Sequence, residues 1–439
     1  MAKSMSMECV STGLDLFKTK PVQTSVEKGY FVEVRPLSAI SQTSPIEFFV
    51  KGSVESYLDL SDTHLHIQAQ VVREDGSDLQ AADDDLVIFE QLAIHTLFST
   101  VDVSLNSVLC STSSQNYPYR SYLETLLNYD AQTKRSQLAL SGVFPHKSGD
   151  FNFTTTNNSV ALDKRRKRVN RSKVYDLIGK VHTDLSYCEQ YMLNGVDVRL
   201  RFVRSKDNFV LNACSKDGAP VHPYKIKIIH AGLFVKKLKI NPVISLAHSK
   251  VLAQNNNARY SIKRVLTKCH SVAKGSLFIN LESLFSNQIP SRVVVGLVDA
   301  DAYNGNYKKS CFEFKHYNLT SLAFHIDGVQ VPSKAFNPNY DNDTYARSYF
   351  SLYQGVNRQF DNHGHGVSYE MYKDGHCLYM VDLTPCQTDD QCVELYKHGS
   401  LSLAITLGKP LENPVNVILY SQFDASIQID RARNVLLDW

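Results

Sequence analysis

The densest cluster of reactive or charged side chains in the chain is a run of five consecutive cations. The run consists of Lys164, Arg165, Arg166, Lys167 and Arg168, with Arg171 and Lys173 close behind. Because like charges repel one another, we expect the run to be exposed and mobile. It fits a nuclear-import signal or a patch that contacts nucleic-acid phosphates, and it also fits a solvated loop between two strands. No aromatic residue interleaves with the cations, so any contact with nucleic acid would be electrostatic.

The pattern closest to a metal site is a group of histidines and a cysteine. His363 and His365 are one residue apart, and His376 and Cys377 follow. Two imidazoles and a thiolate can share a metal ion. The sequence from Asp361 to Gly366 is, however, typical of a polar surface loop, and we favour that interpretation. His64 and His66 would share one face of a strand, as solvent-facing side chains also do. We therefore predict no metal site and no cofactor.

Catalytic motifs are missing from the sequence. It contains no GxSxG, HExxH or GxGxxG pattern and no phosphate-binding Gly-rich loop that ends in Gly-Lys. The acidic pairs Asp299/Asp301 and Asp341/Asp343, like the run at 83–85, lie among turn residues, where Asp is favoured. We expect a protein that is not an enzyme and has no catalytic residues.

The composition is that of an ordinary folded protein. Of 439 residues, 43% are hydrophobic, and 47 Lys and Arg against 44 Asp and Glu give a net charge of +3. This balance excludes a polybasic protein that coats nucleic acid by charge alone. No run approaches the roughly 18 apolar residues of a membrane-spanning helix, and the N-terminus lacks the apolar core of a secretion signal. The nine cysteines form no CxxC pair, so we expect reduced thiols and an intracellular folding compartment.

Short alternating segments rich in Val, Ile, Phe and Tyr dominate the chain and predict β-strands. In residues 65–71 the odd positions are apolar and the even positions polar, which places one face of the strand against a core. Two-residue turns at Asn106-Ser107 and Asp327-Gly328 predict tight hairpins, because Asn, Asp and Gly tolerate the positive φ angles these turns require.

Only two helices stand out. The first follows Pro118 and carries an apolar stripe at i, i+3, i+4, i+7 and i+8, formed by Tyr119, Tyr122, Leu123, Leu126 and Leu127. The second is predicted to begin with Asn241 as N-cap and Pro242 in the first turn, and to end at 255–257. Its predicted apolar face consists of Val243, Ile244, Ala247 and Val251. This helix lies near the midpoint of the chain and is interpreted as a connector.

The two halves of the chain repeat one pattern. A hairpin at Asn106 precedes Tyr119-Arg120-Ser121-Tyr122, and a hairpin at Asp327 precedes a similar segment from Tyr345 to Tyr349. This co-linearity predicts a duplicated β-domain. We therefore predict an all-β double jelly roll, with two tandem eight-stranded β-sandwiches and few short helices. The predicted boundaries are an N-terminal arm 1–28, a first jelly-roll domain 29–240, a connector helix 241–257 and a second jelly-roll domain 258–439.

Nine co-linear segments span nearly the whole chain: 21–30, 57–60, 97–106, 117–129, 193–199, 295–299, 331–334, 382–385 and 429–435. Together they resemble the major capsid protein, a hexon-like protein, of Polinton (Maverick) elements and the related adintoviruses. Departures from that family lie mainly in loops, including 83–85 and 386–393.

The resemblance implies a structural protein of the virion that forms homotrimers. These trimers would act as pseudo-hexagonal capsomers and tile an icosahedral shell. The implied partners are copies of the chain itself, neighbouring capsomers, penton or minor capsid proteins, and packaged DNA through non-specific contact. Synthesis in the host cytoplasm, with import into the nucleus for assembly, would be compatible with the basic run. The alternatives are a soluble lectin-like binding module on a jelly roll, or a minor or vertex capsid protein with a single jelly roll.

Overall fold

A computed structural model describes residues 14, 16–17, 21–84, 86–145, 151–153, 159–215, 221–285, 288–384 and 398–438. Most of the predicted N-terminal arm and the family-divergent stretch 386–393 lie outside these residues, as do Cys9, Cys386 and Cys392. The first strand begins at Val26, two residues before the predicted end of the arm.

Strands are the predominant regular structure among the described residues. The strands before the midpoint are β1 Val26–Val34, β2 Ile46–Val50, β3 Ser56–Arg73, β4 Val87–Phe89, β5 Phe98–Leu105, β6 Val108–Thr112, β7 Tyr175–Lys180, β8 Val198–Arg204, β9 Leu211–Ala213 and β10 Tyr224–Ile240. Those after it are β11 Ala258–Val272, β12 Phe278–Leu281, β13 Arg292–Asp299, β14 Leu319–Ile326, β15 Val329–Phe336, β16 Leu378–Asp382, β17 Leu401–Leu407, β18 Val415–Ile429 and β19 Val435–Asp438.

The helices are short and lie in the connections between strands. They are α1 Ala93–Thr96, α2 Tyr117–Asn128, α3 Ala131–Arg135, α4 Val160–Val169, α5 Asp207–Val210, α6 Pro242–Ala253, α7 Ala300–Asn304, α8 Ala346–Gly355 and α9 Tyr369–Lys373, with 3₁₀ turns at Gln137–Ser141, Asn170–Ser172 and Asp184–Tyr187. No helix among the described residues is long and apolar enough to cross a membrane.

The sheet order shows that one topology occurs twice. In the first half the antiparallel sheets run β1-β10-β3-β7 and β2-β8-β5-β6, and in the second half β11-β18-β13-β16 and β12-β17-β14-β15. If the eight strands of each half are numbered along the chain, both halves have the orders 1-8-3-6 and 2-7-4-5. The predicted double jelly roll is therefore confirmed. The additional strands are the small pair β4-β9 and β19, which extends the second half by pairing with β18.

Turn and cap residues explain why these elements begin and end where they do. The β5-β6 and β14-β15 hairpins have positive φ at both central residues, with 45° and 70° at Asn106 and Ser107, and 49° and 83° at Asp327 and Gly328. Both predicted hairpins are confirmed. The Asn241 side chain accepts a hydrogen bond from the backbone N–H of Val243 and begins α6, as predicted.

Two large hydrophobic cores lie among the described residues, and each includes residues from the other half of the chain. The first core contains the aromatic cluster Phe48, Phe98 and Phe202, with ring centroids 5.0 to 5.7 Å apart. It also contains Tyr260 of β11 and Ile427 of β18. The second core receives the whole apolar stripe of α2 from the first half. The two sandwiches are thus joined by packing as well as by α6.

Candidate functional site

The basic run lies on helix α4, which the sequence did not predict. The Ser159 side chain accepts a hydrogen bond from the N–H of Leu162 at 3.2 Å and caps the helix. The last turn carries Arg166, Lys167 and Arg168, where cations are favoured by the partial negative charge of a helix C-terminus. Local capping and the helix dipole therefore offset part of the repulsion between the charges.

Two of the five cations in the run are buried, so the expectation that the whole run is exposed is wrong. The Arg165 side chain is 2% exposed and lies 3.2 Å from Glu90 Oε1. Its Nε donates a hydrogen bond to the backbone carbonyl of Phe89 at 2.7 Å. Arg166 pairs with Asp163 on the same helix at 2.9 Å, and its guanidinium carbon lies 5.1 Å from the centre of the Phe153 ring. The partners of Arg165 lie at the end of β4 and just after it, so the residues next to Arg165 in the sequence do not reveal them.

The remaining cations of α4 form an exposed basic face, defined here as Lys164, Lys167 and Arg168. Their spacing of three and four residues places them on one side of the helix. Arg171, just beyond the helix, is paired with Asp84 at 2.7 Å. The exposed basic face therefore offers three cations to a polyanion rather than five.

The segment from Asp361 to Gly366 is a loop that is exposed at 361–363, as predicted, but the prediction of a surface position is wrong for His365. His376, outside that segment, is buried as well. Both side chains are buried, and only His363 is exposed. The Nδ1 of His376 bonds to the Met371 carbonyl at 3.1 Å, whereas Cys377 Sγ lies 2.8 Å from the hydroxyl of Tyr340. Burial lowers the pKa of His376 to about 4 and raises that of Cys377 to about 11. Both groups are thus neutral near pH 7.

A second histidine group lies on the outer face of the β1-β10-β3-β7 sheet. His66 and His230 have ring centroids 5.2 Å apart. Each has a carboxylate partner, Asp176 at 2.7 Å from His66 and Glu33 at 3.3 Å from His230. The sequence pointed to His66 but not to His230, because strand pairing brings distant residues together. Among the described residues, no group of three or more His, Cys, Asp and Glu side chains is arranged to hold a metal ion.

Helix α2 carries a buried charged cluster to the junction of the two sandwiches. Arg120 Nε donates to Glu124 Oε1 at 3.0 Å, and its Nη2 lies 2.7 Å from Asp184 Oδ1. From the second sandwich, the hydroxyl of Tyr420 donates to Glu124 at 3.3 Å and the N–H of Val265 donates to Asp184 at 3.1 Å. Both carboxylates therefore have partners in both halves of the chain, which fixes how the sandwiches are joined.

The electrostatics of this junction depend on Arg120. Burial acts to raise the pKa of Glu124, but the charge of Arg120 and a 2.6 Å hydrogen bond with His182 outweigh it and hold the pKa at about 2. The carboxylate is thus ionised at physiological pH. The sequence showed the apolar stripe of α2 but not this cluster, since Asp184, His182 and Tyr420 are far from α2 in the sequence.

Large apolar side chains remain exposed on α6. Val243 is 74% exposed and Leu246 is 58% exposed, and Val251 is also exposed. Most of the predicted apolar face is thus exposed: Leu252 is the buried apolar residue of this helix, and Ile244 is partly buried. Contiguous exposed apolar residues mark interaction surfaces more often than chance placement. Helix α6 thus has an apolar surface that no described part of the chain covers.

Comparison with known proteins identifies a relative in sequence and solved structures of similar fold. No family model matches the chain. An uncharacterized protein of Caenorhabditis elegans, F54H12.2, is 21% identical over 428 residues, which covers 95% of this chain and 98% of its own length. The chain is also similar to solved structures from viruses.

Three of these structures span almost the whole chain. A chain of the Sputnik virophage solved by cryo-EM is 9% identical, with a TM-score of 0.62, and covers 100% of this chain and 94% of its own length. The Faustovirus major capsid protein is 9% identical, with a TM-score of 0.56, and covers 99% of this chain and 93% of its own length. The mavirus major capsid protein is also 9% identical, with a TM-score of 0.54, and covers 99% of this chain and 95% of its own length. At these identities the likeness shows a shared fold.

Proposed function

We propose that this chain is a structural, non-catalytic major capsid protein of a virus or virus-like element of the Polinton (Maverick) and adintovirus type. The observation that carries the proposal is a double jelly roll of one repeated topology, similar over 93% or more of both chains to two viral major capsid proteins. A vertex protein is expected to contain one jelly roll, so the two sandwiches favour the major component of a shell.

The repeated topology offers a physical reason for trimers. Three chains with two similar sandwiches each present six similar units around a threefold axis. Such an object has a nearly hexagonal outline and packs edge to edge by repeated contacts. On this proposal the chain trimerises into pseudo-hexagonal capsomers that tile an icosahedral shell, and its function lies in extended interfaces.

The exposed apolar side chains of α6 are the contact residues to test first. A buried interface core is enriched in apolar side chains and depleted of charge. Val243, Leu246 and Val251 supply apolar area that is unfavourable in water. We place them at contacts between copies of the chain.

The proposed location is the virion capsid, with penton or minor capsid proteins as further partners. The exposed basic face of α4 contacts packaged DNA phosphates without reading sequence, or serves import into the host nucleus after synthesis in the cytoplasm. Its three cations support either role, because both depend on exposed positive charge.

The experiment is to measure the mass of the purified full-length chain by light scattering and to image it by negative-stain electron microscopy. We expect trimers that persist on dilution and have a hexagonal outline. Leu246→Asp should raise the dissociation concentration of the trimer at least tenfold, because it buries a charge at the contact. The matched control is Ser249→Asp, which adds the same charge at an exposed position of the same helix.

A well-folded chain that stays monomeric at micromolar concentration would overturn the proposal. If that monomer bound glycans saturably, the lectin-like alternative would replace it. If trimers formed but both α6 variants behaved alike, the trimer would stand and the placement of α6 at the contact would be wrong.

A further inference from the structure

A small cavity lies where helices α2 and α3 of the first half meet the segment before α9 in the second half. Its volume is about 60 Å³, and its lining includes Lys134, His365, His376, Thr125 and Gln91. A cavity needs roughly 10–15 Å³ on this measure to hold one water molecule. The space therefore admits a small ion or a few waters.

Lys134 lines this cavity and is buried. Its Nζ donates hydrogen bonds to the backbone carbonyls of Leu126 and His365, both at 2.6 Å. No carboxylate among the described residues forms an ion pair with it, and Asp130, one turn earlier, instead caps α3 through the N–H of Thr133. Burial lowers the pKa of Lys134 to about 7, and the charge of Asp130, which acts in the opposite direction, offsets only part of this effect. Among the described residues, no carboxylate is in direct contact with the ammonium group.

His365 adds a hydrogen-bond donor without an acceptor. Its Nδ1 accepts the N–H of Val367 at 3.2 Å, so the ring proton is on Nε2. This Nε2 is buried and has no hydrogen-bond partner among the described residues. The ring of Tyr353 covers one side of the imidazole at a centroid distance of 4.0 Å. An unsatisfied buried donor is costly enough to call for a bound partner.

The rest of the lining limits what that partner can be. Leu92, Leu126 and Val143 give the cavity apolar walls. Such walls disfavour a divalent or strongly hydrated anion. The free energy needed to remove its water exceeds the free energy gained from hydrogen bonds to two donors. A single buried positive charge is balanced by a single negative charge.

We propose that this cavity binds one small monovalent anion, a halide such as chloride, between Lys134 Nζ and the Nε2–H of His365. The two donors come from the two halves of the chain, so the bound anion also links the sandwiches. The proposal is independent of capsid function, since it concerns the folded chain in any assembly.

The direct test uses crystals of the full-length protein grown or soaked in sodium bromide. We expect an anomalous bromide peak within hydrogen-bonding distance of Lys134 Nζ and His365 Nε2. Density for water alone, without an anomalous peak, would overturn the proposal. This readout uses the unaltered protein and does not depend on any variant folding.

The second test compares thermal unfolding in sodium chloride and sodium gluconate at equal ionic strength. At a chloride concentration ten times its Kd, the folded-to-unfolded ratio should rise about elevenfold. Lys134→Met should abolish this specific gain, and Arg135→Met, which removes an exposed cation from the same helix, should retain it. Equal chloride effects in both variants would contradict the assignment of Lys134 as the anion's partner.

Discussion

Replacing Arg165 with alanine should destabilise the protein, although it removes one charge from a run of five cations. The guanidinium lies against Glu90, which is completely buried at the side chain. Its Nε and Nη2 also donate to the Phe89 carbonyl. Arg165→Ala therefore leaves a carboxylate buried without its cation and a carbonyl with fewer donors.

The magnitude follows from the partners that Glu90 keeps. Removing one member of a buried ion pair costs about 3–5 kcal/mol, because the remaining charge is uncompensated. Glu90 still accepts from Asn212 Nδ2 at 2.8 Å and from the N–H of Gln91 at 2.7 Å. We therefore expect the lower end, about 3 kcal/mol, or roughly a 150-fold change in the folded-to-unfolded ratio.

Lys167→Ala is the matched control on the same helix, because Lys167 is exposed. Its effect should be within about 0.5 kcal/mol. Urea unfolding followed by circular dichroism, together with the rate of limited proteolysis, measures both variants and detects local opening in a chain of this size. Combining Arg165→Met with Glu90→Gln removes both charges and should recover a large part of the loss. Equal shifts for Arg165→Ala and Lys167→Ala would refute the reasoning.

Three further predictions concern the junction, pH and the basic face. Arg120→Met leaves Glu124 and Asp184 buried without their shared cation. It should lower the free energy of unfolding, measured in urea, by about 3–5 kcal/mol. A loss below about 1 kcal/mol would show that the junction is hydrated. Because the pKa of buried His376 is lowered from 6.5 to about 4, the unfolded chain binds more protons between these values, so stability should fall as pH falls from about 6.5 to 4. His376→Gln should flatten that slope in thermal melts, and an unchanged slope would exclude His376 as a cause. Replacing the exposed basic face with alanines should leave thermal stability unchanged and weaken DNA binding or nuclear accumulation; normal levels of both would remove its proposed roles.

Much of the architecture could be predicted from local patterns. Alternating side chains in 65–71 identified a half-buried strand, and the turns at Asn106 and Asp327 identified two equivalent hairpins. The first residue of α6 could also be predicted, because an Asn N-cap followed by Pro is a local signal for a helix start. These features depend on residues within a few positions of one another.

The placement of charge could not be read locally. The basic run indicated exposure, yet Arg165 is buried because Glu90, 75 residues away, lies beside it. The residues around His365 predicted a polar surface loop, yet His365 is buried. Lys134 of α3, which is distant in the sequence, donates a hydrogen bond to its backbone carbonyl. The sequence indicated an apolar face on α6 but not whether that face is covered, and the sandwiches leave Val243 and Leu246 exposed.

The sequence by itself determined the repeated strand pattern, the turns and the helix starts, because backbone preference and side-chain alternation act over short distances. Tertiary structure alone decided which cations are paired, which histidines are buried and which apolar residues stay exposed. The free energy of a charged or apolar group depends on the atoms that surround it. In this chain those atoms come from strands and helices that are far apart in sequence.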